Sequence, residues 1–350
     1  MAEGPSFILE SGKTGRYTFL GLSSFSTIQG KGNECVIKEG GKEIRHAGSP
    51  FQLVKQWLAR YRSPKIAGAP KFVGGCAGFW GYDAVRFIEK LPETASDDLG
   101  TPDYAFLLVD ELWIMDHQAG RLFLAVHSPV TESMREDPEQ LQFVYNTAAD
   151  RAARMKSQWE KILASNDTPD TVERHKRFQT MLEKDKLLLH THPLQGIAPA
   201  FKEEDFIRAV KKIQQYIAQG DVFQVNLSVR QSRKLNAEPE QIYEWLRLLN
   251  PSPYMGMLRF QGFQLVSASP ELLVQLEDGR VRTRPIAGTR PRGANDEEDL
   301  RLAGELIENE KERAEHIMLV DLERNDLGKI SKYGTVRVKD LMVIEKNTPT

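Results

Sequence analysis

The stretch "NEKERAEHIMLVDLERNDLG", residues 309–328, combines a long helical pattern with a carboxylate on the apolar side of that helix. At about 100° per residue, Glu315 falls between Met318, Leu319 and Leu322, with Glu308 and Asp326 along the same line. An unpaired carboxylate buried there costs on the order of several kcal/mol, and a hard divalent cation is one way to offset it. The plainer reading is a charge-dense helix solvated along its length. His316 points about 100° away from Glu315, so the adjacent Glu-His pair is not a two-ligand metal motif.

Outward from this helix, strands and helices mix without strict βαβ alternation, which predicts an α+β fold. "FILES", "RYTFLGL", "YAFLLVDELWIMDH" and "RLFLAVHS" read as strands, interrupted by the amphipathic helix "FQLVKQWLARY". Polar helical texture from Glu132 to Ser165 leads into a stretch without clear periodicity. The second half restarts at "KEEDFIRAVKKIQQYIAQGD", where Phe206, Val210, Ile213 and Ile217 make one helix face and Gly220 sits where a helix stops. Next come the strand-like "VFQVNLSVRQ", the helix "PEQIYEWLRLLN", and the strands "PYMGMLRF" and "FQLVSASPELLVQLEDGRVRTRPI", the last with a turn at Asp278 and Gly279. The expected organisation is an N-terminal region over residues 1–165, a connection over 166–200 and a second region over 201–350.

Composition excludes several classes of protein. The chain has 350 residues, 40% of them hydrophobic, and a formal net charge of −2, so the basic excess of a dedicated nucleic-acid binder is absent. Two cysteines, Cys35 and Cys76, make neither a disulfide framework nor a zinc site and point to a reducing compartment. No apolar run is long enough for a membrane span and no leader pattern follows Met1, so a cytoplasmic protein is expected.

Three further segments could carry chemistry. "GGCAGFWGYD", residues 74–83, matches neither the dinucleotide fingerprint nor the phosphate loop, and reads better as a tightly packed strand-to-helix turn. "VRTRPIAGTRPRG", residues 281–293, sets Arg282, Arg284, Arg290 and Arg292 around a turn in which Gly288 permits close backbone approach and Thr289 offers a hydroxyl and an amide. A carboxylate or phosphate would fit that turn, although alternating arginines are often only a strand's wet face. In "SASPELL", Glu271 follows a proline in an apolar strand context. It is either a general acid or base with a raised pKa or a solvated strand-end carboxylate.

Taken together and in order, "FILESGKTGRYTFLGL", "GGCAGFWGYD", "GDVFQVNLSVRQ", "NPSPYM", "SASPELL", "RPIAGTRPRG" and "NEKERAEHIMLVDLERNDLG" resemble the chorismate-utilising enzymes of the anthranilate synthase component I family. The resemblance implies two packed sheets in an α/β sandwich with flanking helices, and a cleft for chorismate and Mg2+. It implies that Glu315 ligates the magnesium, that Gly288 and Thr289 contact substrate, and that Glu271 is the acid that helps the ring hydroxyl leave. It also implies that Leu9, Glu10 and Ser11, with Pro253, Tyr254 and Met255, form the pocket where relatives hold tryptophan.

The implied activity is that of a synthase subunit making 4-amino-4-deoxychorismate from chorismate and ammonia, in para-aminobenzoate and folate synthesis. The ammonia would come from a partner glutamine amidotransferase in a heterodimer. The alternatives are anthranilate formation, because Ala287 stands where many relatives of the first kind have lysine, and a non-catalytic chorismate- or tryptophan-binding module. Relatives that add water carry a lysine where this chain has Gln224, and an amide cannot serve as that base. The chain stops at "VIEKNTPT", where the family continues, so a C-terminally incomplete fold with little synthase activity of its own is the expectation.

Overall fold

The computed structural model describes residues 4–12, 15–166, 172–173, 176, 180, 198–199 and 201–346. The first half contains strands β1 (Ser6–Glu10), β2 (Tyr17–Gly21), β3 (Ser26–Lys31), β4 (Glu34–Glu39) and β5 (Lys42–Ala47), then helix α1 (Pro50–Ala59). Strand β6 (Gly75–Trp80) runs into a 3-10 helix at Tyr82–Phe87, followed by β7 (Tyr104–Val109), β8 (Glu111–Asp116), β9 (Arg121–Val126), α2 (Glu132–Arg135) and α3 (Pro138–Asn166). Later come β10 (Ala198–Pro199), α4 (Glu203–Gln219), β11 (Gln231–Ser232), α5 (Pro239–Leu249), β12 (Tyr254–Phe260), β13 (Phe263–Ser269), β14 (Leu272–Glu277) and β15 (Arg280–Arg284). Helices α6 (Asp296–Glu308) and α7 (Glu310–Ile330) are the last regular elements of the described chain, which continues to residue 346.

The chain is α+β, as its patterning predicts. Its contacts divide it into two compact units, Met1–Lys156 with Pro239–Thr350, and Ser157–Glu238. These units cut the chain differently from boundaries at 165 and 200. The reason is strand pairing: β1 lies between β2 and β12 in one antiparallel sheet, so residues as far apart as Ser6 and Arg259 share a ladder. The connection expected over 166–200 lies mostly outside the described residues.

The larger unit holds a six-stranded sheet, β13-β12-β1-β2-β8-β9, and a five-stranded sheet, β5-β4-β3-β7-β6. The stretch read as "YAFLLVDELWIMDH" supplies one strand to each, because the chain changes sheets at Asp110. Strand β7 shows why this folds. Ala105, Leu107 and Val109 alternate onto one face and pack with Phe7, Leu112, Ile114, Leu258 and Phe260 of the six-stranded sheet. Tyr104 and Leu108 face the other way and pack with Ile28, Cys35 and Trp57, which puts α1 against that side. The Trp57 indole donates to Ser26 Oγ at 2.9 Å, so its one polar atom is satisfied where it is buried.

The glycines of residues 74–83 serve packing, in keeping with the plainer reading of that segment. A Cβ on Gly78 would lie 2.1 Å from the Ala105 carbonyl oxygen, and one on Gly74 would lie 2.2 Å from the His127 ring. At the far edge of the six-stranded sheet's β2–β8 pair, Arg16 grips Asp116 with Nε at 3.1 Å and Nη2 at 2.8 Å, while the Ala119 amide donates to the same carboxylate. The guanidinium holds the Asp116 carboxyl below the usual carboxylate range.

In the smaller unit, α4 ends at Gly220 with φ +81°, the left-handed cap that its position predicts. Its first turn carries Glu203, Glu204 and Asp205, favourable charges at a helix N-terminus. "VFQVNLSVRQ" is a correction to the sequence reading: only Gln231, with Ser232, enters a strand, paired with β10. Residues 222–230 have β-forming composition but no neighbouring ladder among the described residues, and a strand exists only through its partner. Among the described residues, no helix is long and apolar enough to cross a membrane.

Two outcomes follow from this packing. Gly78→Ala forces β6 away from β7 and lowers unfolding stability by about 1–3 kcal/mol in urea titration, with little change in the slope. Asp116→Asn is less stable than the unaltered chain at neutral pH. Because the native carboxyl titrates below its unfolded value, the advantage of the acid is present above the ordinary carboxylate range and lost as pH falls through it. The two stability curves therefore converge in acid; a constant gap down to about pH 2 would contradict the ion pair's role.

Candidate active site

The hairpin β14–β15 turns at Asp278 (φ 49°) and Gly279 (φ 74°), both left-handed, and carries the chain to Arg284. From there residues 285–293 form an irregular turn seated on helices α6 and α7. Gly288 has φ +75°, and a Cβ added to it would meet Leu306 Cδ1 at 2.9 Å and Glu312 Oε2 at 3.0 Å. Glycine is needed here for both backbone conformation and close approach.

The helices are built to receive this turn. Asn295 caps α6 by accepting from the Glu298 amide at 2.9 Å, and Glu298 reaches back past the cap to accept from the Ala294 amide at 2.8 Å. Asn309 ends α6 and starts α7: its amide donates to Glu305 O, and its side chain accepts from the Glu312 amide at 3.1 Å. This corrects the reading of residues 308–328 as one helix line, since Glu308 belongs to α6. Asparagine is a good N-cap, so the break costs little.

Between the turn, the two helices and residues 342–346 lies a cavity of about 240 Å³. Gly288, Thr289, Arg290, Glu312, His316 and Ile344 are among the residues that line it. The sequence reading missed Glu312 and His316 as wall residues. Glu312 was within reach, because it lies one helical turn before Glu315 on a neighbouring line.

The four arginines around the turn are all engaged by carboxylates of the chain. Arg282 pairs with Glu277 at 3.5 Å, Arg284 pairs with Glu345, and Arg292 pairs with Asp299 at 2.8 Å. Arg290 bridges the helices, with Nε 3.3 Å from Glu305 and Nη1 3.3 Å from Glu312. These four guanidiniums are thus committed to the chain's own carboxylates, while Arg313 of α7 also lines the cavity.

Glu271 sits at the β13–β14 junction, where its carboxylate accepts from the Ile286 amide at 3.0 Å. That contact ties it to the same turn, but its side chain is exposed rather than buried in an apolar strand. A partly buried acid nearby is Glu323 on α7, whose carboxyl is pushed up by desolvation and then by the charges of Glu271 and Asp326. Glu315 is half-buried and 3.2 Å from the Lys311 ammonium, one turn earlier on α7. Lys311 is 78% exposed, and the Glu315 carboxylate is a hard oxygen donor of the type Mg2+ takes. No group of three or more His, Cys, Asp or Glu gathers as a metal cage among the described residues. One carboxylate is nevertheless within magnesium's usual protein share.

The two sequence motifs of the tryptophan-like pocket meet in the six-stranded sheet. Strand β1 pairs with β12 so that Leu9 faces Gly256 and Glu10 faces Met255, with Pro253 and Tyr254 at the entry to β12 and Ser11 just past β1. Glu10 is already well partnered: it accepts from Tyr243 Oη at 2.6 Å and Thr18 Oγ1 at 3.1 Å, and pairs with Arg247 at 3.0 Å. Burial and the Glu10 carboxylate both push the Tyr243 phenol upward, so it stays a donor.

With the geometry in place, three comparisons fix the family. The family model described as chorismate binding enzyme matches residues 4–349. The chain is 43% identical over 339 residues to aminodeoxychorismate synthase component 1 of Bacillus subtilis (strain 168), covering 97% of this chain and 66% of that protein. It is 38% identical over 345 residues to anthranilate synthase component 1 of Acetivibrio thermocellus, again covering 97% and 66%. The crystal structure of anthranilate synthase component I from Streptococcus pneumoniae TIGR4 superposes with a TM-score of 0.67 at 27% identity, over 90% of this chain and 62% of that one. The chain spans about two thirds of the length of these relatives. A match over nearly every residue, on a fold whose turn, helices and sheets are those described, means that this chain belongs to the chorismate binding enzyme family.

Proposed function

We propose that the chain is the chorismate-binding part of a synthase that replaces the ring hydroxyl of chorismate with an amino group, giving 4-amino-4-deoxychorismate. The observation that carries this reading is the 43% identity over 97% of the chain to the Bacillus subtilis aminodeoxychorismate synthase component 1. Gln224 adds to it, because an amide cannot activate water and the hydroxylating reaction is disfavoured. The ammonia is supplied by a glutamine amidotransferase bound as a second subunit, in the cytoplasm.

The chain's own residues divide the work. The amide and hydroxyl of Gly288 and Thr289 receive a substrate carboxylate at the turn, with the arginines nearby holding the turn's shape. Glu271, fixed to that turn through the Ile286 amide, delivers a proton to the departing hydroxyl. Glu315 would hold Mg2+ through its half-buried carboxylate. Bound there, the metal supplies Lewis-acid polarisation of the ring carboxylate. The pocket of Leu9, Glu10, Ser11, Pro253, Tyr254 and Met255 is a separate amino-acid site within the six-stranded sheet.

Anthranilate formation is the second reading, favoured by Ala287 and by the 38% identity to the Acetivibrio thermocellus protein. The product distinguishes them: anthranilate fluoresces and appears with pyruvate, whereas aminodeoxychorismate does neither until a separate lyase acts.

Calorimetric titration with chorismate in the presence of Mg2+ tests the binding reading. Glu315→Gln is expected to weaken Mg2+-dependent chorismate affinity about tenfold or more, while leaving Mg2+-independent affinity unchanged. Equal affinity in both proteins would remove Glu315 from the metal site. Glu271→Gln, measured in the ammonia-dependent reaction with any subunit needed for turnover, is expected to lower kcat by about 10²–10⁴ with KM little changed. A KM effect alone would make Glu271 a binding group.

A further inference from the structure

A buried carboxylate outside the residues just assigned holds the substrate turn in place. Asp299, in the first turn of α6, is 5% exposed. Its Oδ1 accepts from Arg292 Nε at 2.8 Å and from the Gly293 amide at 3.0 Å, and its Oδ2 accepts from Arg292 Nη2 at 3.0 Å. Lys346 Nζ approaches the same Oδ2 to 2.8 Å. Both oxygens are used, and every contact is charge-assisted.

These partners belong to different walls of the cavity. Arg292 and Gly293 end the turn that begins at Pro285, and Arg292 is three residues beyond Thr289. Lys346 ends the segment Met342–Lys346, which also lines the cavity. Gly293 is required for the arrangement, since a Cβ there would lie 2.3 Å from the Asp299 amide nitrogen and 2.9 Å from Asn295 O. Asp299 therefore fastens the turn to α6 at one end, while Gly288 packs on Leu306 and Glu312 at the other. One carboxylate faces two cations at this point.

We propose that Asp299 is a positioning residue for this site: through Arg292, Gly293 and Lys346 it holds the Gly288–Thr289 turn and the 342–346 segment at the spacing a dicarboxylate ring such as chorismate needs. The affinity arm of this inference rests on the chorismate reading above, whereas the positioning itself does not.

Asp299→Asn keeps the side chain's shape and removes its charge. It is expected to speed amide hydrogen exchange about tenfold across 286–293 and 342–346, with β1 and β12 unchanged, and to weaken chorismate binding about tenfold. The direction of the affinity change separates two causes. Losing the carboxylate raises the positive charge near the cavity, so a purely electrostatic role predicts tighter binding of the dianion, and positioning predicts weaker. Unchanged exchange overturns the proposal whatever the affinity does, and so does faster exchange accompanied by tighter binding. If the unaltered chain binds no chorismate, the chorismate reading fails and the exchange comparison still decides the positioning. Should Asp299→Asn not fold, Lys346→Met, at a side chain 54% exposed, releases one arm only. Faster exchange in 342–346 then supports the proposal, and unchanged exchange there overturns it.

Discussion

Strand β7 is buried on both faces, and this constraint organises the larger unit. Its odd-numbered side chains enter the core shared with the six-stranded sheet, its even-numbered ones face α1, and the next strand begins two residues later in the other sheet. A chain that changes sheets across a single residue, Asp110, must bring the two sheets face to face. Arg151 reinforces that corner, donating to Asp110 and Glu111 and to the His127 carbonyl. With the sheets so placed, β1 pairs with β12 and brings the Leu9–Ser11 and Pro253–Met255 motifs into register across most of the chain's length.

Much of this was legible in the sequence, wherever a local pattern had one physical solution. The short apolar runs of β1, β2 and β9, the 3.6-residue period of α4 with its terminal glycine, and the Asp278-Gly279 turn each specify their own structure. Illegible features were those that depend on a distant partner. Nothing in "YAFLLVDELWIMDH" marks Asp110 as the place where sheets part. Strand β5, "KEIRHA", is exposed throughout and carries the charges of an edge strand, so it gives no apolar signal. "VFQVNLSVRQ" errs in the opposite direction, with strand composition and almost no ladder.

The site divides along the same line. Gly288 was readable because a positive φ beside a close contact is a demand only glycine meets. Asp299 was not, because "DEEDL" offers four acids in a row at a helix start and composition favours all of them equally there. Only the fold selects the one that turns inward to Arg292. Glu315 sits between these cases: helical phase places it toward the apolar side, and the structure leaves it half-buried beside a lysine one turn away.

The engagement of all four arginines bears on how the site could discriminate among ligands. A free guanidinium attracts any anion, whereas an amide and a hydroxyl at a fixed glycine turn act only on an oxygen presented at hydrogen-bonding distance and angle. Binding at such a turn depends on how rigidly it is held more than on net charge. Arg290 spans α6 and α7, Arg284 ties β15 to the 342–346 segment through Glu345, and Arg292 with Lys346 closes on Asp299. The basic residues that look from sequence like ligand contacts are in this way fastenings for the walls of the cavity. On the proposed reading, discrimination then falls to the other donors of the cavity lining, Thr289, the backbone around Gly288, Arg313 and His316.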